Sequence, residues 1–242
     1  EIGARIYWER FIDDKKQGDS PNSRDGIYFI PATSEDEAPT IVGQSHHYET
    51  MAFSGFLTES IEFGSFDVRP GVRIEVFEQE RIDRLAGSTY LDKTTSAILP
   101  GVGFISELQG FNFFGGVHRG FTPPSSGALK ILNFGDNVSD GGLDLKSEKS
   151  WNKEIGIRGN ISFIQFEYSG YHVAIEDLVA AGRGTAFKNL GKANTMGVET
   201  KTIFNFSDLN KLFPSVDVSY SFLKTEVIEG EIISNVAGSV GN

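Results

Sequence analysis

Apolar and polar residues alternate with a period of two along most of the chain. Between residues 66 and 76 the even positions are apolar, whereas the odd positions are charged or glycine. Successive side chains of a β-strand point to opposite faces, so this segment has one apolar side and one charged side. Residues 196–206 and 216–222 repeat the alternation. The sequence therefore predicts an all-β protein with little helix.

The limits of the alternation predict about nine strands. They are placed at residues 2–12, 48–61, 66–80, 94–106, 111–121, 149–158, 161–175, 193–206 and 216–225. Many exceed the roughly 5–6 residues typical of soluble sheets, and they reach the roughly 9–11 residues that a tilted strand needs to cross a bilayer. Strand length is therefore a first indication of a membrane barrel.

The predicted connections alternate in length. The long ones are residues 13–47, 81–93, 122–148 and 176–192, and the shorter ones are residues 62–65, 107–110, 159–160 and 207–215. An up-and-down membrane barrel has short turns at one rim and long loops at the other, whereas a Greek-key sandwich has no reason to keep that order. We therefore predict an up-and-down antiparallel transmembrane β-barrel.

Composition excludes several classes of function. The 242-residue chain has a formal net charge of −11, which argues against nucleic acid as a partner, because binding a phosphate backbone needs clustered Lys and Arg. Cysteine is absent, which excludes disulfides and thiolate metal sites. The most apolar run, residues 97–105, is interrupted by Pro100, Gly101 and Gly103 and is too short to be a membrane-spanning helix.

The histidines do not form a recognisable catalytic or metal site. His46, His47, His118 and His172 show no catalytic order or zinc spacing, and no glycine-rich loop opens a helix. We therefore expect no enzymatic activity, no cofactor and no metal centre. His46 and His47 lie at the top of a predicted strand, where neighbouring side chains point to opposite faces, so polar rim residues are a better interpretation than a metal-binding pair.

Four stretches resemble motifs of the TonB-dependent receptor family, and they follow one another in the order that the family has. Residues 57–73 are similar to a hairpin that ends in P-G-x-R, and residues 116–125 (GVHRGFTPPS) to the strand end S-x-G-F-x-x-P. Residues 145–158 (LKSEKSWNKEIGIR) resemble L-x-x-E-x-S-x-x-x-E-x-G-x-R, and residues 189–199 (NLGKANTMGVE) resemble N-x-G-x-A-x-x-x-G-V-E. Together the four stretches span most of the chain.

The resemblance implies a barrel of about 22 strands that holds an N-terminal plug. Residues 1–242 are thus expected to form a partial barrel domain, without the plug and the C-terminal strands. The implied function is energy-dependent uptake of a scarce nutrient across the bacterial outer membrane, most often a ferric chelate such as a siderophore or ferric citrate. The implied partners are that chelate, outer-membrane lipid and, through the missing N-terminal region, the TonB energising complex. Residues 122–148 hold no histidine, which argues against a haem receptor.

The resemblance and the alternation together assign roles to individual residues. Aromatic residues near strand ends, Phe121 and Trp151, are expected in an aromatic girdle. The sequence Gly-x-Arg recurs at Arg5, Arg73 and Arg158. It reflects either a preferred strand composition or a row of arginines that lines a lumen. The side chains expected to face the lumen are Arg69, Arg73, His118, Glu154, Arg158 and Glu199, and the candidate ligand contacts in the outer loops are Arg24, His46, His47, Arg183 and Lys188.

A different class of protein also fits the strand pattern. A soluble, secreted all-β binding or adhesion protein would bury its apolar faces between two sheets. Such a protein would need no detergent for extraction, so a membrane-extraction experiment on the full-length protein separates the two hypotheses.

Overall fold

The computed structural model describes residues 1–18, 20, 22–34, 37–124, 145–180, 188–189, 191–230, 232–233 and 240–241. Each long strand pairs antiparallel with the next one in the chain, so that sheet order and chain order are the same. This up-and-down sheet confirms the predicted fold class. The nine strands are β1 (Ile2–Lys15), β2 (Gln44–Thr58), β3 (Phe66–Asp83), β4 (Ser88–Leu108), β5 (Phe111–Thr122), β6 (Glu148–Ile161), β7 (Ile164–Glu176), β8 (Lys192–Asn205) and β9 (Ser215–Glu229).

Helix and further strands are minor in the described part of the chain. The short strand Ile61–Phe63 pairs with β3, and two-residue ladders lie in the connections. The 3-10 turn Phe206–Asp208 is the helical element among the described residues. No helix in these ranges has the length and hydropathy that crossing a membrane requires. β1 and β9 are the two edges of the sheet, which does not close on itself.

The connections lie at two opposite ends of the sheet, and three of the four at the loop end are long. The loop end carries residues 16–43, 84–87, 123–147 and 177–191, and the turn end carries residues 59–65, 109–110, 162–163 and 206–214. One prediction is wrong, because residues 81–93 are not a long loop. β3 continues to Asp83 and β4 begins at Ser88, so a four-residue turn joins them, with Gly87 at a φ of +66°.

The missed extension of β3 and β4 has a physical reason. Residues 78–81 are Glu, Gln, Glu and Arg, so both faces of β3 are polar there and the alternation disappears. The backbone ladder nevertheless continues, with Gln79 opposite Lys93 and Glu80 opposite Asp92. Alternation marks a strand only where its two faces meet different environments, whereas the hydrogen-bond ladder does not depend on side-chain polarity.

The strand register divides the sheet into two chemically different faces, because residues directly opposite each other on paired strands share a face. From Val72, opposite Leu57 and Pro100, the register traces one face across all nine strands. This apolar face includes Val68, Val72, Ile74, Ile155, Ile157, Val198 and Phe204. The polar face includes Arg69, Arg73, His118, Glu154, Arg158, Glu199 and Lys201.

Neither face covers the other, so the sheet has no hydrophobic core of the usual kind. Ile98 and Ile155 on the apolar face are 69% and 66% exposed. The buried hydrophobic residues of the described chain are Tyr48, Ala52, Leu145 and Ala193. Soluble monomers rarely expose a contiguous apolar surface of more than a few hundred Å². The apolar face of nine strands therefore requires an apolar surrounding.

The border of the apolar face runs diagonally across the sheet. Followed from the turn end to the loop end, the first polar side chain of that face on β6 is Lys153. Lys153 lies opposite Val117, and the row of directly opposed residues continues through Val102 to Pro70 on β3. β3 remains apolar for three further positions of that face, Val72, Ile74 and Val76. The border thus shifts by eight residues over three strands, from the row of Pro70 to Glu78 on β3. A shift of this kind is expected when strands are tilted relative to a flat apolar layer.

Candidate functional site

Ion pairs cover much of the polar face. Arg73 on β3 donates from Nε to Glu75 and from Nη2 to Oγ of Ser54 on β2, the latter at 3.1 Å. Arg69 donates from both Nε and Nη2 to Oδ2 of Asp67, at 2.9 and 2.6 Å. In both cases the partners are two residues apart in the chain and therefore neighbours on one face of the strand. The polar face is thus largely charge-compensated rather than uniformly basic.

A buried polar cluster lies on this face at the loop end of β1–β3. Arg81 has no exposed surface, and its guanidinium carbon lies 5.1 Å from the centre of the Tyr48 ring. A buried guanidinium costs free energy unless polar partners surround it, so these groups constrain the three strands that carry them. We call this group the rim cluster; its members are Asp13, Gln44, His46, Arg81 and Asp83.

His46 is at the centre of the rim cluster. Its Nδ1 lies 3.0 Å from Nη2 of Arg81 and 2.9 Å from Nε2 of Gln44. Both of those nitrogens can only donate, so Nδ1 accepts and the proton of the neutral ring is on Nε2. That nitrogen faces Oδ2 of Asp83 at 3.5 Å. His46 therefore joins β2 to a positive and a negative group on β3.

The structure separates the candidate ligand residues His46 and His47 from each other. His46 is buried in the rim cluster, and His47 lies on the apolar face, opposite Ile12 and Ile82. The two rings thus point to opposite faces. Arg24 is exposed in the connection 16–43. Arg183 lies outside the described residues, as does the side chain of Lys188, whose backbone pairs with Ala180.

Four glycines form a flat area in the middle of the polar face. Gly71 lies opposite Gly101, and Gly103 lies opposite Gly116, so three adjacent strands lack side chains there. A Cβ on Gly101 would lie 2.9 Å from Cβ of His118, and one on Gly116 would lie 3.0 Å from the Val102 carbonyl oxygen. Arg69, Arg73 and His118 line the resulting depression of about 400 Å³. We call this area the glycine floor.

The connection between β5 and β6 is anchored over the polar face at both of its ends. Nε2 of Gln79 donates to the Pro124 carbonyl at 3.0 Å, and Nζ of Lys93 donates to the Leu145 carbonyl at 3.0 Å. Leu145 is 3% exposed. The loop that carries residues 125–144 therefore starts and ends above the polar face of β3 and β4.

This anchoring corrects the expectation for Phe121. β5 pairs with β4 only as far as His118, and its last residues then bend across the polar face. The ring of Phe121 consequently packs 5.5 Å from that of Phe77, which lies on the polar face. Trp151, by contrast, lies on the apolar face with its ring 5.2 Å from the guanidinium carbon of Arg119. The girdle assignment is therefore wrong for Phe121.

Asn189 connects two loops at the loop end. Its Nδ2 donates to the Lys146 carbonyl at 2.9 Å and to the Asp177 carbonyl at 2.8 Å, while its Oδ1 accepts from the Lys146 amide at 2.8 Å. Glu148 adds a fourth link, because its Oε1 accepts from the Val179 amide at 2.6 Å. Both Asn189 and Glu148 belong to the quoted motifs, but their spacing along the chain does not reveal these contacts.

Metal-binding geometry is not found in the described ranges. No three or more His, Asp or Glu side chains there are placed to hold a metal ion together. The polar side chains of the rim cluster contact one another instead.

Comparison with known proteins identifies the sheet. A family model described as TonB dependent receptor-like, beta-barrel matches residues 3–241. The members of that family are transporters and receptors rather than enzymes. The matched range includes all nine strands and both faces described above.

Solved structures share the fold at low sequence identity. The unliganded ferric citrate transporter FecA has a TM-score of 0.63 and 19% identity over 82% of this chain and 30% of its own. The ferric yersiniabactin uptake receptor FyuA from Yersinia pestis has a TM-score of 0.56 and 14% identity over 93% of this chain and 36% of its own. The copper transporter OprC has a TM-score of 0.52 and 14% identity over 94% of this chain and 44% of its own. The chain therefore spans less than half the length of each.

Proposed function

This chain belongs to the TonB-dependent receptor-like β-barrel family, and we propose that it forms part of the wall of an outer-membrane receptor. The apolar face meets lipid and the polar face lines the lumen. The observation that carries this proposal is the register, which gathers the exposed apolar side chains on one face and the ion pairs on the other.

The diagonal border of the apolar face supports a membrane location. Strands of outer-membrane barrels are tilted by about 35–45° from the membrane normal, so a horizontal lipid layer crosses successive strands at shifting residue positions. The border of the apolar face shifts in this way from Lys153 on β6 to the position beyond Val76 on β3. A soluble binding or adhesion protein would instead cover its apolar face with a second layer, and the described residues contain none.

The glycine floor fits a segment of polypeptide in the lumen. Arg69, Arg73 and His118 stand around a surface without side chains, so a backbone approaches the sheet there without steric conflict. We assign this surface to the plug that the family's barrels enclose. The six residues Arg69, Arg73, His118, Glu154, Arg158 and Glu199 then line the lumen as structural contacts.

The proposed cargo is a ferric chelate, a siderophore or ferric citrate. Support comes from the fold shared with a ferric citrate transporter and a ferric yersiniabactin receptor, although a copper transporter has the same fold. Arg24, Arg183 and Lys188 in the connections at the loop end are the proposed contacts with an anionic chelate. His47 is no longer among them, because it lies on the apolar face. His46 acts differently, because the rim cluster uses both of its ring nitrogens. Energy reaches the receptor through the TonB complex and an N-terminal region.

An uptake experiment tests this function. The complete receptor that contains this chain is expressed in a strain that lacks it, and accumulation of radioactive iron is measured with ferric citrate and with purified siderophores. We expect accumulation that requires both the receptor and TonB, with at least one of these chelates. Localisation of the receptor to the inner membrane or cytoplasm would refute the proposal. Uptake of another nutrient alone would refute the choice of cargo.

A further inference from the structure

Basic side chains are unevenly distributed along the loop-end border of the apolar face. The first polar residue of that face is basic on β1, β5, β6 and β9, but acidic on β2 and β3. Towards the turn end, the outward positions of the nine described strands carry no lysine or arginine. The cations of the apolar face therefore lie at its loop-end border, and two of them are on the neighbouring strands β5 and β6. The border residues, from β1 to β9, are Arg10, Glu49, Glu78, Ser96, Arg119, Lys153, His172, Asn194 and Lys224.

Three cations at or next to this border surround an aromatic ring. Lys149, Trp151 and Lys153 are successive outward residues of β6, and Arg119 on β5 lies opposite Trp151. We call these four residues the basic patch. Cα atoms of Lys149 and Lys153 are about 13 Å apart, since a strand rises roughly 3.3 Å per residue. This spacing is suitable for ammonium groups that approach one headgroup from two sides of the indole.

The basic patch has an excess of positive charge. Arg119 forms an ion pair with Glu176 at 2.7 Å. Lys149 and Lys153 are both exposed, and within the described ranges neither forms an ion pair. Three cations against one carboxylate leave two positive charges uncompensated. Such charges beside lipid are costly unless they reach water or an anionic headgroup.

An apolar groove begins directly below the basic patch. It has a volume of about 340 Å³, and its floor is Gly170, one outward position below His172. Ile155, the next outward residue after Lys153, forms one wall. The groove runs along the apolar face towards the turn end, which is the direction that an acyl chain takes from a headgroup. Its other apolar lining residues are Phe113, Ile157, Tyr168 and Val198.

From this juxtaposition we propose that the basic patch and the groove bind one anionic lipid of the outer leaflet. Lys149, Lys153 and Arg119 hold the headgroup phosphate, Trp151 lies at the headgroup level, and an acyl chain occupies the groove over Gly170. The occupant is a lipid rather than free phosphate, because free phosphate would leave the groove empty. This inference rests on the proposed function, since it requires the apolar face to meet the membrane.

Trp151 provides a reporter at the site. The complete receptor is reconstituted in phosphatidylcholine vesicles that contain either brominated phosphatidylcholine or brominated phosphatidylglycerol. The difference in quenching between the wild type and Trp151→Phe isolates this residue. We expect brominated phosphatidylglycerol to quench Trp151 at a mole fraction at least about fivefold lower than brominated phosphatidylcholine requires. The factor follows from the attraction of each Lys or Arg to an anionic surface.

Two variants locate the effect. K149Q/K153Q should remove the preference for phosphatidylglycerol and leave quenching by brominated phosphatidylcholine unchanged. K146Q/K211Q removes the same number of charges from exposed positions outside the basic patch and should keep the preference. The inference would be overturned if K149Q/K153Q kept the preference for phosphatidylglycerol. It would also be overturned if inorganic phosphate abolished the preference and chloride of equal ionic strength did not.

The remaining outcomes separate the lipid site from the proposed function. Equal quenching of wild-type Trp151 by the two brominated lipids would overturn the lipid site and leave the barrel wall intact. Failure of both lipids to quench Trp151 would mean that the apolar face does not meet lipid. That result would overturn the lipid site and the proposed function together.

Discussion

Arg81 and His46 are in contact across neighbouring strands, with Nη2 of the arginine 3.0 Å from Nδ1 of the histidine, although they are 35 residues apart in the chain. Both side chains are buried on the polar face, where Asp13 and Asp83 supply negative charge. The contact links β2 to β3 at the loop end, beyond the apolar segments of both strands. The rim cluster thus fixes the points from which the loops begin.

Replacing Arg81 should therefore be costly. In the complete receptor, Arg81→Met should lower the free energy of unfolding by about 3–5 kcal/mol, because it leaves buried partners without their cation. Arg10→Met is the matched control, since its ion pair with Glu49 joins β1 to β2 at the surface and should contribute within about 1 kcal/mol. Urea titrations in lipid vesicles measure both. Equal losses in the two variants would contradict a buried role for Arg81.

Two glycines on paired strands, Gly197 on the polar face and Gly170 on the apolar face, offer a test of packing. A Cβ on Gly197 would lie 2.5 Å from the Tyr171 ring and 2.7 Å from the Phe222 carbonyl oxygen, whereas the nearest atom to one on Gly170 would be 3.9 Å away. Gly197→Ala should destabilise the receptor by about 1–3 kcal/mol. Gly170→Ala should change stability by less than about 1 kcal/mol. Thermal unfolding of both variants decides, and a larger loss for Gly170→Ala would argue against this register.

Asn189 should couple the loops on either side of β6 and β7. Removing its three hydrogen bonds by Asn189→Ala should increase hydrogen exchange at the amides of residues 146 and 179 by about 5- to 100-fold, since each bond contributes about 1 kcal/mol. Asn210→Ala, at the turn end, removes an asparagine contact to the Leu212 amide and should leave those amides unchanged. Exchange that is identical in Asn189→Ala and the wild type would show that the loops are held by other contacts.

The apolar face should reject a charge that the polar face accepts. Val72→Arg, in the middle of the apolar segment of β3, should destabilise the reconstituted receptor by about 2–4 kcal/mol. Lys201→Arg on the polar face should be nearly neutral, because it keeps the charge that pairs with Asp217 at 3.4 Å. Folding yield into vesicles and urea stability measure the difference. Comparable losses at both positions would be inconsistent with a lipid-facing Val72.

Sequence predicted the sheet well where its two faces meet different surroundings. The alternation at residues 66–76 and 196–206 placed Val72 and Val198 on one face and Arg73 and Glu199 on the other, as the register does. It missed residues 81–83 of β3 and 88–93 of β4, because the alternation disappears where both faces of a strand are polar. The four-residue turn after Asp83 could not be inferred from a pattern that had already ended.

The candidate site was less accessible to sequence reasoning than the strands. Arg81 is an even number of residues from Arg69 and Arg73, so its face could have been inferred, but its burial depends on Tyr48 and His46 from another strand. Asn189 contacts Lys146 across 43 residues, and nothing in the local pattern specifies that pairing. Phe121 obeyed the alternation in sequence, yet its strand bends after His118 where pairing with β4 stops.

Cysteine accessibility tests the central claim, that one face of this sheet meets lipid and the other meets the water-filled lumen. The 242 residues contain no cysteine, so single cysteines can be placed along one strand without background from this chain. The complete receptor in outer-membrane vesicles is labelled with a membrane-impermeant maleimide and, separately, with a lipid-soluble one. We expect cysteines at Glu154 and Arg158 to react with the impermeant reagent and those at Ile155 and Ile157 to react only with the lipid-soluble one. Reactivity that does not alternate between these neighbouring positions, or that alternates in the opposite sense, would contradict the account.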